Sequence, residues 1–236
     1  MTRIVPILFA ALFIGACGGS ASLATASPAP TVVATQAAST PTATAAATAS
    51  TSSVATSTWT IGSASKAVVS VREQLVGVSL PSDAVLTATG GAGAFGLKSD
   101  GTFSADSKIT FDLTTLSSDS RNRDDYVKQD TLQTRQFPKA EFVPTKTSGL
   151  ALPLAPTGTF TFTLTGNLTI RGKTKEVTFN VVAKRNGADL TATATLAPTI
   201  KFGDFGMSAP SVPFRVVSVV DEIRLVVELV ATGAAT

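Results

Sequence analysis

The stretch Thr159-Phe160-Thr161-Phe162-Thr163-Leu164-Thr165-Gly166-Asn167-Leu168-Thr169-Ile170 alternates polar and apolar residues almost without a slip. As a strand it places Phe160, Phe162, Leu164, Leu168 and Ile170 on one face, and that face has to be buried. The same period of two recurs at Ile109, Phe111 and Leu113, at Val177, Phe179 and Val181, at Leu190, Ala192, Ala194 and Leu196, and at Ile223, Leu225, Val227 and Leu229. No long stretch with a helical period competes, so the pattern predicts a chain that is mostly antiparallel sheet.

Working outward, the first strands are expected over 59–77 with a bend near Gly62 to Ser65, followed by Leu80 to Thr89 and Gly93 to Leu97. Gly90-Gly91-Ala92-Gly93-Ala94 reads as a bend where the chain passes close to itself; no Lys-Ser/Thr follows it to make a phosphate loop. Ser99-Asp100-Gly101 and Asn186-Gly187 are hairpin signals, and Arg171-Gly172-Lys173 joins two further strands. Between Ser117 and Phe137-Pro138 the alternation stops. Ser117 to Ser120 offers capping side chains and Arg121 to Asp130 is rich in charge, so one short helix is expected there. The remaining strands are Lys108–Leu113, Glu141–Lys146, Gly158–Ile170, Lys175–Ala183, Asp189–Leu196 and Glu222–Val230. The count is about eight, and a sandwich and a closed barrel both fit it. Closure has the merit of removing exposed strand edges, and eight strands is the smallest barrel with room for a small ligand.

The N-terminal part has a different character. Arg3, the apolar run Ile4 to Phe13, and Gly15-Ala16 ahead of Cys17 read as an export signal over 1–16 that is too short to span a bilayer. Ile14-Gly15-Ala16-Cys17 resembles a bacterial lipobox, which makes Cys17, the only cysteine of the chain, the expected lipidation site. From Ser20 to Ser57 the chain is almost wholly Ala, Thr, Ser, Pro and Val without a charge, a composition that does not offset backbone entropy by burial. Residues 17–57 are thus expected to be a disordered tether with a reach of about 35 Å, leaving 58–233 as one folded domain. These features predict an extracytoplasmic protein held at the membrane, in the periplasm or on the outer surface.

Composition narrows the chemistry. The chain has no histidine and one cysteine, which removes Ser-His-Asp and Cys-His nucleophile systems and His/Cys metal clusters, and no metal or cofactor is expected. Asp124 and Asp125 are neighbours, whereas glycosidase carboxylates face each other across several ångströms; an exposed Asp124–Lys128 helix pair is the simpler expectation. Of 19 basic and 16 acidic residues only Arg3 lies outside 66–228, so the folded part carries an excess of two positive charges, and nucleic acid is not an expected partner.

Five ordered segments carry a resemblance. They are Arg123-Asp124 with Tyr126-Val127, Phe137-Pro138-Lys139-Ala140-Glu141-Phe142, Gly166 to Val177, Phe202-Gly203-Asp204-Phe205-Gly206-Met207, and Val220-Asp221-Glu222-Ile223-Arg224-Leu225. Together they resemble the YceI-like family over nearly all of 59–230, and Val71-Arg72-Glu73-Gln74-Leu75 with Leu80-Pro81 resembles its lipoprotein branch. The resemblance implies an all-β fold, an eight-stranded antiparallel lipocalin-like barrel with one short helix. It also implies a long apolar cavity that binds a polyisoprenoid, a prenyl quinone or a similar amphiphilic lipid. On that reading the protein is a carrier and not an enzyme, with Phe103, Phe111, Leu113, Phe142, Phe160, Phe162, Leu164 and Phe179 as inward-facing ligand candidates. Arg121, Arg123 and Arg171 are candidates for a polar head group. The rival expectation is a structural or stress-related surface module whose barrel is filled by its own side chains. The oligomeric state is left open, a homodimer included.

Overall fold

The computed structural model describes residues 55–212 and 214–233. The signal, Cys17 and nearly all of the tether lie outside the described residues. Ten strands follow one another, β1 (Thr56–Ile61), β2 (Lys66–Leu75), β3 (Ser82–Thr89), β4 (Ala92–Lys98), β5 (Lys108–Asp112), β6 (Lys139–Ser148), β7 (Thr157–Ile170), β8 (Lys173–Asn186), β9 (Asp189–Leu196) and β10 (Val216–Gly233). All pairings between them are antiparallel, and β1 pairs with both β4 and β10. The ring β1-β4-β5-β6-β7-β8-β9-β10 therefore closes on itself with eight strands.

Ten segments make an eight-stranded barrel because two strands bend. Beyond β1 the chain stays against β10, with Ile61 opposite Ala231 and Lys66 opposite Glu228, so β2 continues β1; β3 stays against β2 and leads into β4 in the same way. At the first bend the buried Ser65 hydroxyl donates to Val230 O at 3.1 Å and accepts from Val230 N at 2.9 Å, replacing the ladder that the kink interrupts. At the second, Gly91 N donates to Ser65 O at 3.2 Å, and a Cβ on Gly91 would lie 2.7 Å from Ser65 Cβ and 3.0 Å from the Phe111 ring. The glycine is required there by close approach. The β7–β8 hairpin runs in unbroken register from Thr157 opposite Asn186 to Ile170 opposite Lys173. Its turn uses Arg171 and Gly172 at φ 50° and 70°, the left-handed conformations that match the twist of the strands.

Helix α1 (Arg121–Tyr126) continues as a wider π turn through Val127–Thr131. It lies between β5 and β6 in sequence, against the bent end of the sheet, where Thr87 of β3 bridges to Ser117. Asp124 is not an exposed partner of Lys128 as the pattern suggests. It is buried and accepts a hydrogen bond from the Ser118 hydroxyl at 2.6 Å, which ties the helix to the turn before it.

The topology gives the barrel two different ends. The β4–β5 and β6–β7 connections and the β8–β9 hairpin lie at the end where β1 starts, and that end is packed. Trp59 stacks on Phe95 with ring centroids 6.4 Å apart, Phe103 meets Phe95 edge-on at 6.1 Å, and the Arg185 guanidinium sits 4.9 Å over the Trp59 ring. The β2–β3 loop, α1, the β7–β8 turn and the long β9–β10 connection lie at the other end. Among the described residues every strand, the closure of the sheet and the main core fall within 56–233.

Candidate functional site

Inward positions of a small barrel are filled by side chains unless those side chains are short. Here several are alanine. Ala67 of β2, Ala84 and Ala88 of β3, Ala140 of β6 and Ala194 of β9 all face the interior, and they help to leave a cavity of about 780 Å³ running to the end opposite Trp59. That volume lies within the ~300–1,000 Å³ typical of small-molecule sites. Its walls are Val69, Val71, Leu86, Ile109, Phe111, Leu168, Ile223, Leu225 and Leu229, with Phe202 and Met207 of the β9–β10 connection closing one side. Phe142 and Phe179 meet edge to face at 5.3 Å and 84° in the same wall.

Gly166 of β7 makes that aromatic contact feasible. A Cβ at this position would lie 2.5 Å from both Phe142 Cζ and Val143 O, so the Phe142 ring occupies the space that any side chain would take. The one interruption in the β7 alternation is thus where the opposite strand lays a ring across it.

Most polar groups of the cavity gather under α1, with Glu141 of β6 and Arg215 before β10 lining it elsewhere. Glu73, two residues before the end of β2, is 7% exposed although it carries a charge. Its carboxylate accepts from Arg123 Nη2 at 2.7 Å, while Arg123 Nη1 donates to Asp119 and to the Ser118 hydroxyl. Burial works against the Arg123 charge, yet its hydrogen bonds to Asp119 and Glu73 outweigh that and hold its pKa above the ordinary arginine value. Ser120, Asn122 and Tyr126 of the same segment also line the cavity.

The apolar candidates from the sequence divide between two compartments. Phe111, Leu113, Phe142 and Phe179 line the large cavity, and Leu164 touches both it and a small hollow of about 80 Å³ at the packed end. Phe103, Phe160 and Phe162 line only that hollow, together with Trp59 and Phe95. Among the head-group candidates, Arg123 lines the large cavity. Arg121 is exposed on α1 outside the lining, and Arg171 donates to Gly206 O at 2.7 Å and to Gln133 Oε1 at 3.3 Å, pinning the β7–β8 turn to the β9–β10 connection. Asp204 and Phe205 serve that connection as well. Asp204 Oδ2 accepts from Lys201 N at 2.8 Å and pairs with Lys175 Nζ at 2.6 Å, Phe205 is fully buried, and Gly206 ends the turn at φ 65°.

Sequence reasoning missed Glu73 as a cavity residue, although the signal was present. Ala67, Val69, Val71 and Glu73 share one face of β2 at a period of two, and a carboxylate on an apolar face is what a buried pair looks like before its partner is known.

The family model for the YceI-like domain matches residues 59–231, which takes in nearly all of the ring, from Trp59 in β1 to Ala231 near the end of β10. The chain belongs to the YceI-like family. Among curated relatives of this YceI-like protein, a UPF0312 protein of Pseudomonas putida is 35% identical over 124 residues, which cover 47% of this chain and 61% of the relative. The chain thus spans less than two thirds of that relative's length. Among solved structures, a polyisoprenoid-binding domain from Saccharophagus degradans superposes with a TM-score of 0.56 at 12% identity over 75% of this chain and 98% of that one. Burkholderia cenocepacia BcnA superposes with a TM-score of 0.52 at 22% identity over 71% of this chain and 96% of its own. At these identities the likeness establishes a shared YceI barrel fold.

Proposed function

We propose that this YceI-like protein is a non-catalytic carrier or reservoir that holds the apolar chain of an amphiphilic lipid, a polyisoprenoid or prenyl quinone, inside its barrel. The observation that carries the reading is the cavity of about 780 Å³, walled by aliphatic and aromatic side chains and entered from one end. The family membership supports a lipid-binding role, and the polyisoprenoid-binding domain from Saccharophagus degradans has the same fold. Transfer of a prenyl tail from water into such a space gains about 0.8 kcal/mol per methylene-sized group, so the tail is strongly retained against water. Against a bilayer, which solvates the tail about equally well, the net transfer is near zero and reversible, as a carrier requires. The lipobox-like Ile14-Gly15-Ala16-Cys17 and the uncharged segment from Ser20 to Ser57 support an extracytoplasmic protein tethered near its lipid source at high effective concentration.

The cavity lining offers a head group the Glu73–Arg123 pair, Tyr126 and Asn122. Because Arg123 is already engaged by Glu73, Asp119 and Ser118, this end favours an uncharged hydrogen-bonding head over an anionic one. Native mass spectrometry of freshly purified and of delipidated protein tests the proposal. Co-purified apolar molecule in the first, and uptake of prenyl quinone by the second, are the expected results. Finding neither defeats the proposal.

A further inference from the structure

Around the open end of the cavity, large apolar side chains face solvent. Leu80 is 75% exposed and Phe214 95%, with Val76, Val78 and Val217 beside them in the β2–β3 loop and at the start of β10. These two segments are one surface, since Val76 N donates to Arg215 O at 3.0 Å and Leu75 pairs with Val216. The surface is also continuous with the interior, because Val76, Val78 and Phe214 line the cavity that the rim surrounds. Scattered apolar residues on a surface need no explanation, but a contiguous set framing the entrance of an apolar cavity does.

We propose that this rim docks onto the surface of a lipid bilayer, so that the cavity opens directly into the membrane; the inference rests on the lipid-carrier reading above and supplies its loading step. Charge argues for a bilayer. The segments 76–81 and 207–217 contain 17 residues and a single charged side chain, Arg215. Such a rim enters the boundary between head groups and acyl chains without burying a carboxylate, and its one cation is complementary to anionic lipid. Function argues the same way. A second copy of the chain seated on the rim would close the entrance, whereas a bilayer covers the same apolar surface and is the phase in which a prenyl cargo is dissolved. Docking there lets the tail pass from acyl chains to cavity without crossing water, which would otherwise cost about 0.8 kcal/mol for each methylene-sized group exposed.

The test uses residues 55–236, which hold the complete barrel without Cys17, and vesicles of phosphatidylcholine and phosphatidylglycerol that contain no prenyl lipid. The protein is expected to float with the vesicles. Leu80→Glu with Val217→Glu, two rim positions outside the cavity lining, is expected to lower the bound fraction about tenfold or more, as the loss of two inserted apolar side chains requires. Val182→Glu, an exposed apolar position on the outer wall of β8, is expected to float like the parent. Binding of detergent-dispersed prenyl quinone by the double variant is expected to stay at the parent level. Flotation that persists unchanged in the double variant overturns the proposal, as does a parent that does not float. A parent that fails to float but sediments as a dimer, which the double variant converts to monomer, assigns the rim to self-association and overturns it too. Flotation that depends on the rim, in a protein that takes up no quinone, upholds the docking surface while removing the proposed cargo.

Discussion

The Glu73 carboxylate and the Arg123 guanidinium, fifty residues apart in sequence, meet at 2.7 Å and join the β2 wall to helix α1 across the polar end of the cavity. Both groups are largely shielded from water, with side-chain exposures of 9% and 19%. Removal of one partner from such a pair strands the other charge in apolar surroundings, which costs more than the intact pair contributes. Arg123→Met is therefore expected to lower stability by about 3 kcal/mol, whereas adding Glu73→Met to it recovers most of the loss. Urea unfolding of the four combinations measures the coupling. Equal, additive losses would show that the pair does not hold α1 in place.

The two ends of the barrel are expected to respond oppositely to changes in side-chain size. Ala67→Phe adds a ring where β2 faces the cavity, filling space that no side chain uses, so stability changes by about 1 kcal/mol or less while prenyl quinone affinity falls about tenfold or more. Trp59→Ala at the packed end removes a side chain that is 1% exposed, stacked on Phe95 and covered by Arg185, at a cost of about 3–5 kcal/mol. Ligand affinity at the far end should survive where the fold does. Thermal unfolding combined with a quinone titration separates the two effects.

The sheet was legible because its signal is local. The alternation from Thr159 to Ile170 and from Asp189 to Leu196 needs no partner to be read, and the strands observed at Thr157–Ile170 and Asp189–Leu196 match it. The bends at Gly62–Ser65 and Gly90–Gly91 were also visible, since glycine marks close approach. The apportioning of one face was not legible. Phe160, Phe162, Leu164 and Leu168 share a parity along β7, yet Phe160 and Phe162 line the packed hollow while Leu168 lines the cavity. What separates them is the size of residues on other strands, Trp59 and Phe95 at one level and Ala67, Ala84 and Ala88 at another, which only the closed sheet brings opposite. Glu73 could be read from its parity on β2, but its partner could not, because Arg123 comes from a helix whose placement against β2 no local pattern states.

Gly166 tests how tightly the aromatic wall is set. Gly166→Ala places a methyl group 2.5 Å from both Phe142 Cζ and the Val143 carbonyl, and the carbonyl belongs to the neighbouring strand and has little room to move. The Phe142 ring is expected to swing into the cavity, away from its edge-to-face contact with Phe179, with a loss of about 1–3 kcal/mol from overpacking. Removing the ring in the same chain, as Gly166→Ala with Phe142→Leu, relieves part of that strain. A double variant no more stable than the cost of each change added together would place the conflict at the carbonyl alone.

Acid should loosen the β9–β10 connection through Asp204. The Lys175 ammonium at 2.6 Å, followed by the Lys201 amide, holds the Asp204 carboxyl below the usual aspartate range. The folded protein therefore binds this proton less readily than the unfolded chain. The contribution of Asp204 is complete above the unfolded pKa of about 3.9 and is lost as pH falls through the lower folded value. Partial exposure of both side chains keeps the effect small, so the comparison with a variant carries the information. Asp204→Asn is expected to melt below the parent at neutral pH, and the two melting curves should converge as pH drops below about 3.9. If the gap between them stays constant through that range, protonation of Asp204 does not govern the stability of the turn that presents Phe202 and Met207 to the cavity.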